Sequence, residues 1–334
     1  MQARGVVVIG GSAGGLEALM ELVGGLPAGL AAAVLVTIHV GEHTRSSLPQ
    51  ILSRCGSLEA VHAVEGEPLR PTRIYVAPPG RHLLMPRGVV ELSEGPRINR
   101  HRPAVDAMFG SAARWADEGV VAVVLSGMLD DGAVGAALIA QAGGHVVVQD
   151  PGEALFASMP RAALRAVPVA VAVGSAQLGQ YVSELVGKNS ETARLPRDMR
   201  QAASAMTMED SSDPRFVFPD EARLTRMACP ECGGVLAELQ LPQISYYRCH
   251  VGHQYGPQSL AAAQAESAES KLWAAVAALE EQAAFARHLA EHATAAQDHD
   301  TVVEQQRAAD KATNLAKVVR VQLRHGSDPT VESG

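Results

Sequence analysis

Short apolar runs rich in Val and Ile recur through residues 1–187, each closed by Gly or a polar residue and followed by a segment with helical spacing. Strands are predicted over 5–9, 33–39, 73–77, 120–126, 145–149 and 169–173, with 89–92 a further candidate in a hairpin. Helices are predicted over 15–23, 45–54, 104–115, 133–142 and 159–166. Continuous apolar strands alternating with helices imply a mainly parallel sheet covered on both faces, an α/β fold with a doubly wound, Rossmann-like sheet.

The pattern then changes. Residues 188–223 are rich in Ser, Thr, Asp, Arg and Met and carry no period, as a linker does. Residues 224–256 form a compact cysteine-bearing unit. Over 257–325 the chain is rich in Ala, Glu and Gln, and Leu272, Val276, Leu279, Ala283 and Ala286 recur at helical spacing. A polar break at 297–300 separates these from Leu315, Val318, Val319 and Leu323. The expectation is a helical hairpin or coiled segment that packs on itself or on a helical partner.

Composition narrows the class. The chain has 334 residues, 47% hydrophobic and 19% charged, which suits about two domains with real cores and excludes wholesale disorder. Aromatic residues are only 4%, so the cores must be built from Ala, Val and Leu. A net charge of -8 offers no basic footprint for nucleic acid or an anionic membrane. No signal peptide is expected, because the first apolar run ends at Gly10-Gly11-Ser12 and Glu17 and Glu21 follow. Uncharged stretches at 22–41, 132–149 and 166–183 are broken by Gly or Pro and read as buried elements, not membrane spans. A cytoplasmic protein is expected.

Candidate chemistry begins in the turn Gly10-Gly11-Ser12-Ala13-Gly14-Gly15. G-x-G-x-x-G fails in register, and Leu16 stands where a P-loop needs Lys. G-x-S-x-G fits from Gly10 to Gly14. Such a turn lifts a serine hydroxyl above the sheet and aims helix N-terminal N–H groups at a developing oxyanion. His39 ends the second apolar strand and is a candidate base on the same sheet edge. Asp130-Asp131 follows the strand 120–126 and offers an orienting carboxylate. Alternatives remain at each position: a phosphate-binding or inert Gly-rich loop, a packed histidine, and a helix N-cap. The order Ser, His, Asp differs from that of α/β-hydrolases.

Several blocks in order resemble the catalytic domain of CheB-type chemoreceptor glutamate methylesterases. They are Gly10–Gly15, Thr37-Ile38-His39, Tyr75-Val76-Ala77-Pro78-Pro79-Gly80, His101-Arg102-Pro103-Ala104-Val105-Asp106, Gly127-Met128-Leu129-Asp130-Asp131-Gly132, and Gln149-Asp150-Pro151 with Met159-Pro160. The resemblance implies Ser12 as nucleophile, His39 as base and Asp131 as orienting acid. Asp131 is preferred over Asp130 because the family's acid directly precedes the Gly. It further implies N–H groups near Ala13 and Met128 at the oxyanion, and Arg102 near the substrate. The implied reaction is hydrolysis of glutamate γ-methyl esters on the cytoplasmic helices of methyl-accepting chemoreceptors, with glutamine deamidation as a side activity and no catalytic cofactor. Members with a known switch carry a receiver domain ahead of the first catalytic strand, and here that strand opens the chain. Two other readings compete: a non-catalytic receptor-binding adaptor, and a small-ester hydrolase outside chemotaxis.

Cys229-Pro230-Glu231-Cys232-Gly233-Gly234 is a C-x-x-C knuckle, with Cys249 and His253 completing C-x₂-C-x₁₆-C-x₃-H. The spacing is close to that of a zinc ribbon. His250 is a rival fourth ligand, but adjacent Cys and His close poorly on one tetrahedral ion, so His253 is preferred. Three thiolates and an imidazole make a closed, structural zinc site. A similar CPxCGG…RCxVGH segment, followed by an Ala/Glu-rich helix, ends some CheB-like proteins. Three unrelated cysteines are the alternative, and Cys55 lies outside the unit as a free thiol.

Overall fold

The computed structural model describes residues 5–42, 46–114, 119–188 and 222–326. His43, Trp115 and nearly all of the expected linker lie outside them. In chain order the elements are β1 (Val6–Gly11), α1 (Gly15–Gly24), β2 (Ala33–Ile38), α2 (Leu48–Cys55), β3 (Glu59–His62), β4 (Arg73–Val76), β5 (His82–Leu84) and β6 (Glu91–Ser93). There follow α3 (Val105–Ala113), β7 (Val120–Val124), α4 (Ala133–Gln141), β8 (His145–Gln149), α5 (Ser158–Ala166), β9 (Val171–Val173) and α6 (Ser175–Lys188). After residue 221 come β10 (Arg223–Ala228), β11 (Val235–Gln240), β12 (Ser245–Cys249), β13 (Gln254–Tyr255), α7 (Pro257–Ala295) and α8 (His299–Gly326).

Seven strands form one parallel sheet in the order β3-β4-β2-β1-β7-β8-β9. The two-residue period of a strand divides its side chains between two cores. Val6 and Val8 join Leu35, Tyr75, Ala122 and Val124 beneath Met108, Phe109 and Ile139. Val7 and Ile9 join Val34, Val36, Val121 and Val123 beneath Leu19, Leu52 and Val182. Helices α3, α4 and α5 thus cover one face and α1, α2 and α6 the other, as the Val-rich runs predict. The chain runs outward from β1 in one direction and from β7 in the other. The strand ends at β1 and β7 therefore border the crevice in which such sheets place their sites.

The structure departs from the sequence reading in places. The hairpin strand is Glu91–Ser93, paired with His82–Leu84. At the sheet edge only Val171–Val173 pairs, and Val169 is exposed. Strand β3 and helix α6 were not expected, although Leu178, Val182 and Leu185 have helical spacing and are buried.

The contacts divide the chain into Met1–Ala261 and Ala262–Gly334. The antiparallel sheet β10-β11-β12-β13 belongs to the first unit. Its Leu239, Leu241 and Tyr246 share a buried cluster with Ala162, Ala166 and Val167 of the α/β half. In the second unit, the rest of α7 pairs with α8 through Val276, Leu279, Ala316, Val319 and Leu323. Leu272, Leu315 and Val318 are exposed, contrary to the expected stripe. The seam is built from small residues, among them the buried Ala283, Ala286, Ala309 and Ala312, so the bulkier side chains fall beside it. Among the described residues, no helix is long and apolar enough to cross a membrane.

Candidate active site

Strand β1 delivers Ser12 at its C-terminal end. The turn that follows passes through Gly14, whose φ of 68° lies in the left-handed region that glycine tolerates best. The Ser12 N–H donates to the Ser126 carbonyl at 2.9 Å, tying the turn to the end of β7. The Ser126 hydroxyl donates to the Ala13 carbonyl at 2.8 Å and accepts the Phe156 N–H at 2.9 Å. The Ser126 N–H donates to Gln149 Oε1 at 2.8 Å. Three strand ends are thereby cross-linked around the serine.

His39 follows β2 and brings Nδ1 to 3.1 Å from Ser12 Oγ. Its Nε2 lies 2.6 Å from Asp131 Oδ2. The His39 and Asp131 side chains are 7% and 2% exposed, so water does not compete for this bond. A carboxylate only accepts, so the imidazole proton belongs on Nε2 and the Nδ1 lone pair faces the serine hydroxyl. That is the tautomer a general base needs.

Asp131 is fixed from every side. Oδ2 also accepts the Val105 N–H at 2.7 Å. Oδ1 accepts the Asp106 N–H at 2.9 Å and the Asn99 Nδ2 at 2.8 Å. Two donors are thus the free N–H groups of the α3 N-terminus, whose dipole favours an anion. Burial alone would raise the Asp131 carboxyl, but the His39 hydrogen bond and charge, with smaller contributions from His101 and Asn99, hold it well below the carboxylate range. Asp106 goes the other way: burial, then the Asp131 charge, push its carboxyl well up.

The other expected residues fall around this chain. Ala13 and Met128 are exposed, and among the described residues their N–H groups pair with no backbone carbonyl. The Arg102 guanidinium donates to the carbonyls of Glu94 and Gly95, both at 2.8 Å, and lies 3.4 Å from Glu42. His101 stacks on His39. Asp130 turns away from His39 and accepts the N–H groups of Gln258 and Ser259. Asn99 was not singled out from the sequence. It sits in an aperiodic polar turn, and only its partners mark it.

Cys229, Cys232, Cys249 and His253 converge, each offering a ligand atom within 4.8 Å of the others. His253 Nδ1 lies 3.7 Å from Cys229 Sγ and 3.6 Å from Cys249 Sγ, and the Cys232 and Cys249 sulfurs are 3.6 Å apart. A tetrahedral zinc with bonds of about 2.0–2.3 Å has edges of roughly 3.5–3.8 Å, so the donor set fits that ion. His253 Nε2 is 3.3 Å from Glu231, the carboxylate partner that orients a ligating imidazole. His250 is outside the cluster.

A doubly wound parallel sheet that joins Ser12, His39 and Asp131 by hydrogen bonds at neighbouring strand ends defines an α/β protein with a Ser-His-Asp constellation. The chain belongs to the CheB methylesterase family, whose description matches residues 7–182. It is 42% identical over 164 residues to "Protein-glutamate methylesterase/protein-glutamine glutaminase 4" of Anaeromyxobacter dehalogenans, covering 48% of this chain and 46% of that protein. A Geobacter metallireducens protein of the same name, numbered 1, is 39% identical over 163 residues, covering 48% and 45%. The chain therefore spans about half the length of the curated relatives it matches. The crystal structure of the Thermotoga maritima CheB methylesterase catalytic domain matches with a TM-score of 0.51 and 30% identity, covering 54% of this chain and 97% of that one.

Proposed function

We propose that this protein is a serine esterase that hydrolyses glutamate γ-methyl esters on chemoreceptor-type proteins in the cytoplasm. Deamidation of glutamine is a second outcome of the same chemistry. The observation that carries this reading is the unbroken chain from Ser12 through His39 to Asp131, inside the segment that matches the family. The names of the curated relatives supply the substrate class.

In this reading Ser12 Oγ attacks the ester carbonyl carbon as its proton passes to His39 Nδ1. The carbonyl electron pair moves to oxygen, which the N–H groups of Ala13 and Met128 receive. Collapse breaks the bond to the methoxy oxygen, which takes the proton from Nδ1 and leaves as methanol. Water then gives a proton to Nδ1 and attacks the acyl carbon, and Ser12 departs with that proton. Asp131 stabilises the transient imidazolium and stays ionised. Arg102 shapes the rim through Glu42, Glu94 and Gly95, where the receptor helix would lie.

Cys229, Cys232, Cys249 and His253 would hold a structural zinc. With all four positions taken by protein, the ion supplies cross-linking and no chemistry of the reaction.

The test is methanol release from methylated receptor membranes by the natural protein and by Ser12→Ala. Serine-dependent release supports the reading. Equal release from both overturns it, as does release from simple methyl esters with none from receptor, which would make the protein a small-ester hydrolase.

A further inference from the structure

The segment that leaves the Cys3His cluster runs into the candidate active site. Asn99 is the point of contact. It is buried, and its backbone has a φ of 50°, with Arg100 at 71°. Its Nδ2 donates to Asp131 Oδ1 at 2.8 Å and to Asp106 Oδ2 at 2.7 Å. Its Oδ1 accepts the Gly256 N–H at 2.7 Å. Its own N–H donates to the Gln254 carbonyl at 2.7 Å. A backbone N–H can only donate, so Gly256 decides which end of the Asn99 amide faces the two carboxylates.

A second tie runs beside the first. Asp130, the neighbour of Asp131, accepts the Gln258 N–H at 2.7 Å and the Ser259 N–H at 3.0 Å. It also accepts the Ser259 hydroxyl. These are donors of the first turn of α7, so a residue of the α/β half caps a helix that begins just after the Cys3His cluster. The approach is close: a Cβ on Gly256 would meet Asp130 Oδ2 at 2.6 Å.

The ligand loop sets where this segment starts. His253 immediately precedes Gln254, and its carbonyl accepts the Cys249 N–H at 3.0 Å. From His253 the path to Asp131 runs along Gln254, Tyr255 and Gly256 and then through Asn99, which is held by both the Gln254 carbonyl and the Gly256 N–H.

We propose that the metal-loaded Cys3His module is an intramolecular clamp on the triad. A zinc-class ion held by Cys229, Cys232, Cys249 and His253 keeps residues 254–259 in register, and through Asn99 and Asp130 these hold Asp131 in the orientation His39 needs. Asn99 and Asp130 are positioning residues. Release of the ion frees the segment, and Asp131 loses the Asn99 donor from its set of four. The consequence for rate rests on the esterase reading above; the consequence for structure does not.

The test uses the full chain loaded with zinc, stripped with a chelator, and reloaded. Metal content, amide hydrogen exchange and methanol release are followed together. Stripping should raise exchange at least tenfold at residues 254–259, at Asn99 and at the Val105 and Asp106 amides, leaving β1 and β7 unchanged. It should lower kcat at least tenfold with KM within twofold, and reloading should reverse both. In zinc-loaded protein, Asp130→Ala should reproduce the kcat loss, and Asp130→Asn, which keeps one acceptor but turns its amide nitrogen against the Gln258 or the Ser259 N–H, should recover only part of it. Unchanged exchange at 99–106 in stripped protein, or failure to bind zinc, overturns the clamp while leaving the esterase reading intact. Absence of Ser12-dependent methanol release overturns the esterase reading, and the exchange data then decide the clamp alone.

Discussion

The His101 ring stacks on the His39 ring, with centroids 3.6 Å apart and planes 13° apart. Burial, and then the His39 charge, lower the His101 pKa to about 4. Near neutral pH, His101 is thus an uncharged wall. His39 is held in one plane by that wall and along its edge by Ser12 and Asp131, so the imidazole has little freedom left.

His101→Phe should therefore keep the rate within about threefold, because the stacked surface remains. His101→Ala should lower kcat about tenfold, the scale expected when a base is let out of alignment. The discriminating measurement is the pH profile of methanol release between 5.5 and 8. It should keep its shape in His101→Phe; a shifted acid limb would mean that His101 titrates in this range.

Gly127 leaves no room for a side chain. A Cβ there would lie 2.0 Å from Met159 Sδ and 2.9 Å from Ser12 Cβ. Gly127→Ala should cost about 1–3 kcal/mol in unfolding free energy by overpacking. It should lower kcat/KM about a hundredfold by displacing Ser12. Gly29→Ala meets nothing within 4 Å and is the control, with both quantities unchanged.

The candidate triad was legible because each member follows an apolar strand, and parallel register puts those strand ends on one edge. The Cys3His spacing was legible for a similar local reason. Asn99 was not, since its meaning depends on Gly256, 157 residues away. Strand β3 carries no strand signal because Glu59 and His62 interrupt its apolar content, which its edge position permits. In α8 the largest side chains carry the helical period, whereas close helix packing selects alanines and leaves Leu315 and Val318 outside. The attachment of the tail sheet to the α/β half rests on Leu239, Leu241 and Tyr246, whose partners no local pattern reveals.

His82 makes stability depend on pH. It is 1% exposed, its Nε2 faces the Pro96 carbonyl at 3.0 Å, and its Nδ1 accepts the Ala104 N–H at 3.3 Å. Both ring nitrogens are satisfied only in the neutral form. Burial lowers its pKa to about 4 from an ordinary 6.5. The unfolded chain therefore binds a proton that the folded chain refuses. The stabilisation is complete above pH 6.5 and is lost as pH falls from 6.5 toward 4. From this residue the loss between pH 7.5 and 5.5 should be about 1 kcal/mol. Urea unfolding of the natural protein and of His82→Gln at the two pH values measures it; equal losses in both would assign the slope elsewhere.

Asp131→Asn separates the charge at this position from its shape. The four donors on Asp131 leave no place for an amide NH2. Turned toward Oδ2, it opposes the Val105 N–H and forces His39 Nε2 to accept. The imidazole proton then moves to Nδ1, where it points at Ser12 and cannot receive the serine proton. Turned toward Oδ1, it opposes the Asp106 N–H and the Asn99 amide. Each opposed buried donor costs about 1–3 kcal/mol. In the Ser-His-Asp template the corresponding change lowers kcat about 10⁴-fold with the geometry intact. The expected result is thus a fall in kcat of about 10³–10⁴ with loss of stability. Losing the Asp131 charge also removes one of the influences that push Asp106 up, so the Asp106 carboxyl should titrate lower in the variant. Carboxyl NMR titration of Asp106 in both proteins checks that direction, and an unmoved Asp106 would show that burial alone sets it.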